Sequence, residues 1–159
     1  MGPGGRDLCV RFDGRDAGAV ATYTGRDDPL WKEDVFEVFL APGADAPTAY
    51  FEFEVNPLGA LFDALIDSPN KSREGMRIGT EWDCPGFEAR VTRREANWSA
   101  SLRIPLDPLV RGTTPEAWRA NFYRIDRGTA DEFSSWSPTL RDPADFHVPD
   151  RFGVLRFPR

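Results

Sequence analysis

Apolar and polar residues in this chain alternate mostly with a period of two, the signature of half-buried strands rather than helices. The clearest run is 49–56, with Phe51, Phe53 and Val55 on one face and Tyr50, Glu52, Glu54 and Asn56 on the other. Residues 35–40 place Phe36, Val38 and Leu40 opposite Val35, Glu37 and Phe39, and their β-branched and aromatic side chains favour the pleated state. Pro29 fixes its own φ and discourages a helix just before it, so Trp31 sits in a turn leading into that strand. Residues 118–126 alternate Trp118, Ala120, Phe122, Arg124 and Asp126 against Arg119, Asn121, Tyr123 and Ile125.

Shorter strands are expected at 8–12, closed by an Asp13-Gly14 turn, and at 58–67 after the Asn56-Pro57 turn. A hairpin joins 87–92 to 98–104 around Glu95-Ala96-Asn97, and 152–157 closes the chain. Residues 68–83 and 140–150 read as loops, 133–136 as a short strand or loop, and 105–109 as one helical turn. About eight strands with no long amphipathic helix and no repeat predict a single all-β domain over residues 1–159. Its architecture is an antiparallel, jelly-roll-like β-sandwich.

Composition adds constraints. The chain has 159 residues, long enough to bury one real core. Aromatic residues make up 13%, a share that suits strands and flat binding surfaces alike. A net charge of −6 and a pI near 4.9 argue against nucleic acid and anionic membrane as partners. Cys9 and Cys84 are too few for a disulfide framework, and no stretch of 18 apolar residues is present. The opening Met1-Gly2-Pro3-Gly4-Gly5-Arg6 has no apolar core of a signal peptide.

Several residues carry chemistry with more than one reading. Trp31 and Glu37 flank one region, either as a binding surface or with Trp31 as a core aromatic. Glu52 and Glu54 share a strand face with α-carbons roughly 7 Å apart. That spacing suits the acid and base of an inverting glycosidase, but a solvated outer face is the plainer reading. Arg124 and Asp126 share a face too. The guanidinium is either a hydrogen-bonding fork for a polar ligand or an internal partner of Glu37 or Glu54. His147, the only histidine, would need Met76 or Met1 to ligate haem and reads more simply as a surface-loop residue. Loop carboxylates Asp27, Asp28, Asp142 and Asp145 are ligands of the type calcium takes, without a spacing that specifies it. No zinc set, phosphate loop or nucleophile motif is present, and no cofactor is expected.

The run from Trp31 to Leu40, followed by Tyr50 to Asn56, resembles carbohydrate-binding module family 9. So do the segments Trp118 to Asp126 and Ser135-Trp136-Ser137-Pro138, and the ending Phe152-Gly153-Val154-Leu155-Arg156-Phe157. The resemblance implies a β-sandwich of the type appended to xylanases, non-catalytic, with a mono- or oligosaccharide of the xylan or cellulose type as partner. It also implies that Trp31 and Phe146 clamp a sugar ring while Glu37, Glu54 and Arg124 hold its hydroxyls. Glu54 stands where the family offers an arginine, Arg124 where it offers a glutamine, and Phe146 near the second tryptophan. Glu52, Asp126, Trp136 and His147 are further candidates. Members usually carry one or two strands ahead of the one at Leu8, so N-terminal strands are expected to be missing here.

Overall fold

The structure is a computed structural model that describes residues 5–158. Two antiparallel sheets form a sandwich. The smaller has the order β1–β7–β6, from β1 (Asp7–Arg15), β7 (Asn97–Pro105) and β6 (Glu88–Arg93). The larger runs β10–β8–β2–β3–β4–β5, with β9 also pairing along β8. Its strands are β2 (Val35–Pro42), β3 (Ala49–Val55), β4 (Leu61–Asp67), β5 (Arg77–Gly79), β8 (Ala117–Arg127), β9 (Asp131–Ser135) and β10 (Gly153–Arg156).

The alternation read from the sequence assigns the faces. Phe36, Val38, Leu40, Phe53 and Val55 meet Trp98, Ala100, Leu102 and Ile104 of the small sheet in the inter-sheet core. Phe36 is stacked between Phe12 and Trp98, at centroid distances of 4.6 and 4.0 Å.

The expected turn at Asp13-Gly14 is instead strand: β1 continues to Arg15, with Gly14 opposite Trp98. Glycine is needed there for space, since a Cβ would lie 2.9 Å from the Phe36 ring and 3.1 Å from the Arg124 guanidinium carbon.

The other face of the large sheet is not solvated. Val35, Phe39, Tyr50, Phe62, Ile66, Tyr123 and Ile125 form a second apolar cluster, joined by Leu30 before β2 and by Phe146 and Phe152 after β9. The connections at 16–34 and 136–152 thus fold over this face. Glu52 and Glu54, expected on a solvated surface, are buried beneath them.

Candidate functional site

Between those connections and the sheet lies a cavity of about 400 Å³, lined by residues that include Trp31, Glu37, Glu52, Arg127, Phe133 and His147. Its size suits a small ligand. Each wall can be traced to a local element.

Trp31 sits on a 3-10 turn, Leu30–Lys32, whose Leu30 is fully buried and anchors it. The indole stays 40% exposed and meets only the edge of Phe62, at 5.4 Å. Asp34 fixes this turn against β8: its carboxylate accepts the Val20 N–H at 2.8 Å and the Arg127 N–H at 2.6 Å. Arg127 in turn donates to the Trp31 carbonyl at 2.9 Å.

A second exposed ring is Phe133 of β9, 41% exposed. The Arg127 guanidinium lies 5.0 Å from its centroid, so one side chain joins the Phe133 ring to the backbone of the Trp31 turn. Phe146 supports Phe133 edge-on at 6.1 Å and is itself stacked on Tyr123 at 4.1 Å. At 8% exposed it serves mainly as a prop.

The floor is acidic. Glu37 lies directly opposite Glu54 in the β2–β3 register, and Glu52 shares their face. Carboxylate oxygens of the three lie within 4.8 Å of one another, and all three side chains are buried. Burial, then the Glu52 charge, pushes the Glu37 carboxyl well above its ordinary range. Burial, then the charges of Glu37 and Glu52, does the same to Glu54. Outside this carboxyl cluster, both oxygens of Glu54 and Oε2 of Glu52 have no hydrogen-bond partner.

His147 is buried on the cavity wall, not on a surface loop. Its Nδ1 lies 2.7 Å from the Tyr50 hydroxyl. Burial raises the Tyr50 pKa and lowers that of His147. The hydroxyl therefore keeps its proton and donates to Nδ1, leaving the neutral imidazole with its proton on Nε2. That Nε2 is 3.9 Å from Glu52 Oε2, beyond hydrogen-bond reach. Arg73 also lines the cavity but is paired with Asp145 at 2.9 Å, and Arg127 is paired with Asp131 at 2.6 Å.

Of the residues singled out from sequence, the structure brings Trp31, Glu37, Glu52, Phe146 and His147 to one cavity, with Glu54 packed beside its floor. It does not bring Arg124 there. Arg124 is in register with Phe36, not Glu37, so its side chain lies on the opposite face of the sheet. It rests 5.9 Å from the Phe36 centroid and donates to the Arg15 carbonyl, Asp16 and Asp126. Asp126 is thereby occupied too, and the expected bridge from Arg124 to Glu37 or Glu54 does not form. Trp136 packs against Phe122 and over Gly153, away from the cavity.

Trp31 is not a core residue. Among the loop carboxylates, Asp27, Asp28 and Asp145 accept internal N–H donors from Asp63, Gly25 and His147. The haem reading needed Met76 or Met1. Met76 packs at the edge of the second apolar cluster, and Met1 lies outside the described residues.

Sequence reading missed Phe62, Arg73, Arg127 and Phe133. One signal was present: extending the Tyr123, Ile125 alternation by one step places Arg127 on the Glu37 face. Phe62 follows by the same logic from β4, whereas Phe133 reaches the cavity through the pairing of β9 opposite Ile125 and Arg73 through a chain connection, neither of which local periodicity reads.

The sequence model described as Carbohydrate-binding family 9 matches residues 4–157. An extracellular protein of Arthroderma benhamiae is 28% identical, over 82% of this chain and 63% of its own length, so the chain spans under two thirds of that relative. A candidate carbohydrate-binding protein from Bacteroides uniformis superposes with a TM-score of 0.78 at 21% identity, over 97% of this chain and 74% of its own. A family 9 module from Caldicellulosiruptor kristjanssonii, in complex with glucose, gives 0.59 at 13% identity, over 94% of this chain and 70% of that one. The same type of module with cellotriose gives 0.59 at 12%, covering 94% and 68%. These structural likenesses establish the shared sandwich, and the match across nearly the whole sequence establishes the family: the chain belongs to carbohydrate-binding family 9.

Proposed function

We propose that this domain binds the end or a short segment of a carbohydrate chain in the cavity below Trp31, without catalysing a reaction. The observation that carries the reading is the pairing of two exposed rings, Trp31 and Phe133, with a carboxylate floor in one cavity. The axial hydrogens of a pyranose pack on an aromatic face, while its hydroxyl rim needs directional polar partners. Glu37, Glu52, Arg127 and His147 are the side chains placed to supply them. Phe133 takes the second aromatic role that the sequence assigned to Phe146, and Arg127 takes the place given to Arg124. Glucose and cellotriose bound to related modules make a neutral β-linked glucan or xylan the first ligands to test.

Two observations favour this over a structural sandwich that has lost its ligand. Trp31 is held half-exposed by a dedicated turn, and the floor carboxylates are not used up by an internal arginine. Few contacts must cover the entropy of association, so Kd values of about 10–1000 µM are expected. Titrating a glycan panel against tryptophan fluorescence tests the reading. Saturable quenching that Trp31→Ala abolishes supports it. Unchanged affinity in that variant, or release of reducing sugar from xylan or cellulose oligomers, overturns it.

A further inference from the structure

The floor of the cavity holds more acid than a neutral sugar needs. Three carboxyl groups converge there, and among the described residues no lysine or arginine pairs with any of them. The two guanidiniums on the cavity wall are committed elsewhere, Arg73 to Asp145 and Arg127 to Asp131. Two observations independent of the carboxylates point to a ligand. His147, itself buried, lines the cavity with an Nε2–H that has no hydrogen-bond partner within reach, a donor suited to a ligand hydroxyl oxygen. Trp31 and Phe133 are two exposed aromatic rings on the same cavity. Unmatched acid beneath aromatic faces is the arrangement that favours a cation with an apolar body.

Resting on the sugar-binding reading above, we infer that this cavity is selective for a pyranose bearing a protonated primary amine, with the ammonium seated on Glu37 and Glu52. A hydroxyl brings one O–H donor to the floor, whereas an ammonium brings three N–H donors. Its bonds to an ionised carboxylate are charge-assisted, about twice as strong as neutral ones. As the ammonium arrives, one proton held by the carboxyl cluster leaves to solvent, so the net charge of floor and ligand together is conserved. The charged and titratable groups facing that position are Glu37 from β2, Glu52 and Glu54 from β3, Arg127 from β8, and Arg73, Asp145 and His147 from the connections. Acid returns the proton to the cluster and competes with the amine, so binding of the amino sugar weakens as pH falls while that of the neutral sugar does not.

The test is a fluorescence titration of the whole chain at about pH 6, where a sugar amine is protonated. It uses glucosamine, N-acetylglucosamine and glucose, each in EDTA and again with calcium. The expected result is glucosamine bound about 10- to 100-fold more tightly than the other two, the size of a buried charge-assisted hydrogen bond. Glu52→Gln should bring that ratio close to one. Equal affinities, or weaker glucosamine binding, overturn the inference and leave the sugar-binding reading standing. No binding of any of the three overturns both. Calcium binding that Glu52→Gln removes, with no preference for the amine, also overturns it, because the floor would then be a metal site.

Discussion

Glu54→Gln is the most direct probe of the buried acid. Glu54 is fully buried, faces Glu37 across the β2–β3 pair, and has no hydrogen-bond partner outside the carboxyl cluster. Its folded pKa is raised well above the ordinary 4.5, so the folded chain keeps a proton that the unfolded chain gives up. With more protons bound in the folded state, stability falls as pH rises. The contribution is fully present below about 4.5 and is lost progressively up to the folded pKa. Within that window one retained proton costs 2.303RT, about 1.4 kcal/mol per pH unit.

Glutamine keeps the shape and removes the titration, and its amide can donate to Glu37. Wild type and variant should therefore be most alike near pH 4.5. Above it, wild type should lose up to about 1.4 kcal/mol per pH unit relative to the variant. Urea unfolding at half-unit steps between about pH 4.5 and 8 measures this, with midpoints converted through a shared m-value. Parallel curves would refute the reasoning, since they would mean Glu54 is already ionised in the folded protein.

Trp31→Ala should weaken sugar binding at least tenfold while leaving the thermal midpoint close to wild type, because the half-exposed indole packs only on the edge of Phe62. Phe133→Ala should weaken binding in the same titration, whereas Trp136→Ala, whose ring lies elsewhere, should not. Arg124→Ala should leave sugar affinity unchanged but cost about 1–3 kcal/mol of unfolding free energy, since it strands the Arg15 carbonyl, Asp16 and Asp126. Gly14→Ala should cost about 1–3 kcal/mol in chemical unfolding, because the added Cβ meets the Phe36 ring at 2.9 Å.

Most strands were legible in the chain, although β5 lies in the stretch read as a loop and β1 runs through the expected Asp13-Gly14 turn. Alternation at 35–40, 49–56 and 118–126 named the side chains on each face of β2, β3 and β8, and the structure keeps every one of those assignments. Trp31 and Glu37 were legible as candidate residues, and both line the cavity, because a lone carboxylate in an apolar strand needs a polar partner or a ligand. Period two, however, sorts residues into two faces without saying which face is covered or which strand face joins which. Both answers come from contacts between residues far apart in sequence. The register of β8 on β2 pairs Tyr123, not Arg124, with Glu37, and that single step moves the arginine out of the cavity and brings Arg127 in. The packing of Leu30, Phe146 and Phe152 over the outer face buries Glu52, Glu54 and His147 and turns a surface into a cavity. The sequence by itself determined the strands and the residues available to the site. Only the tertiary structure decided which of them meet, because register and loop packing are settled by non-local contacts that no local pattern encodes.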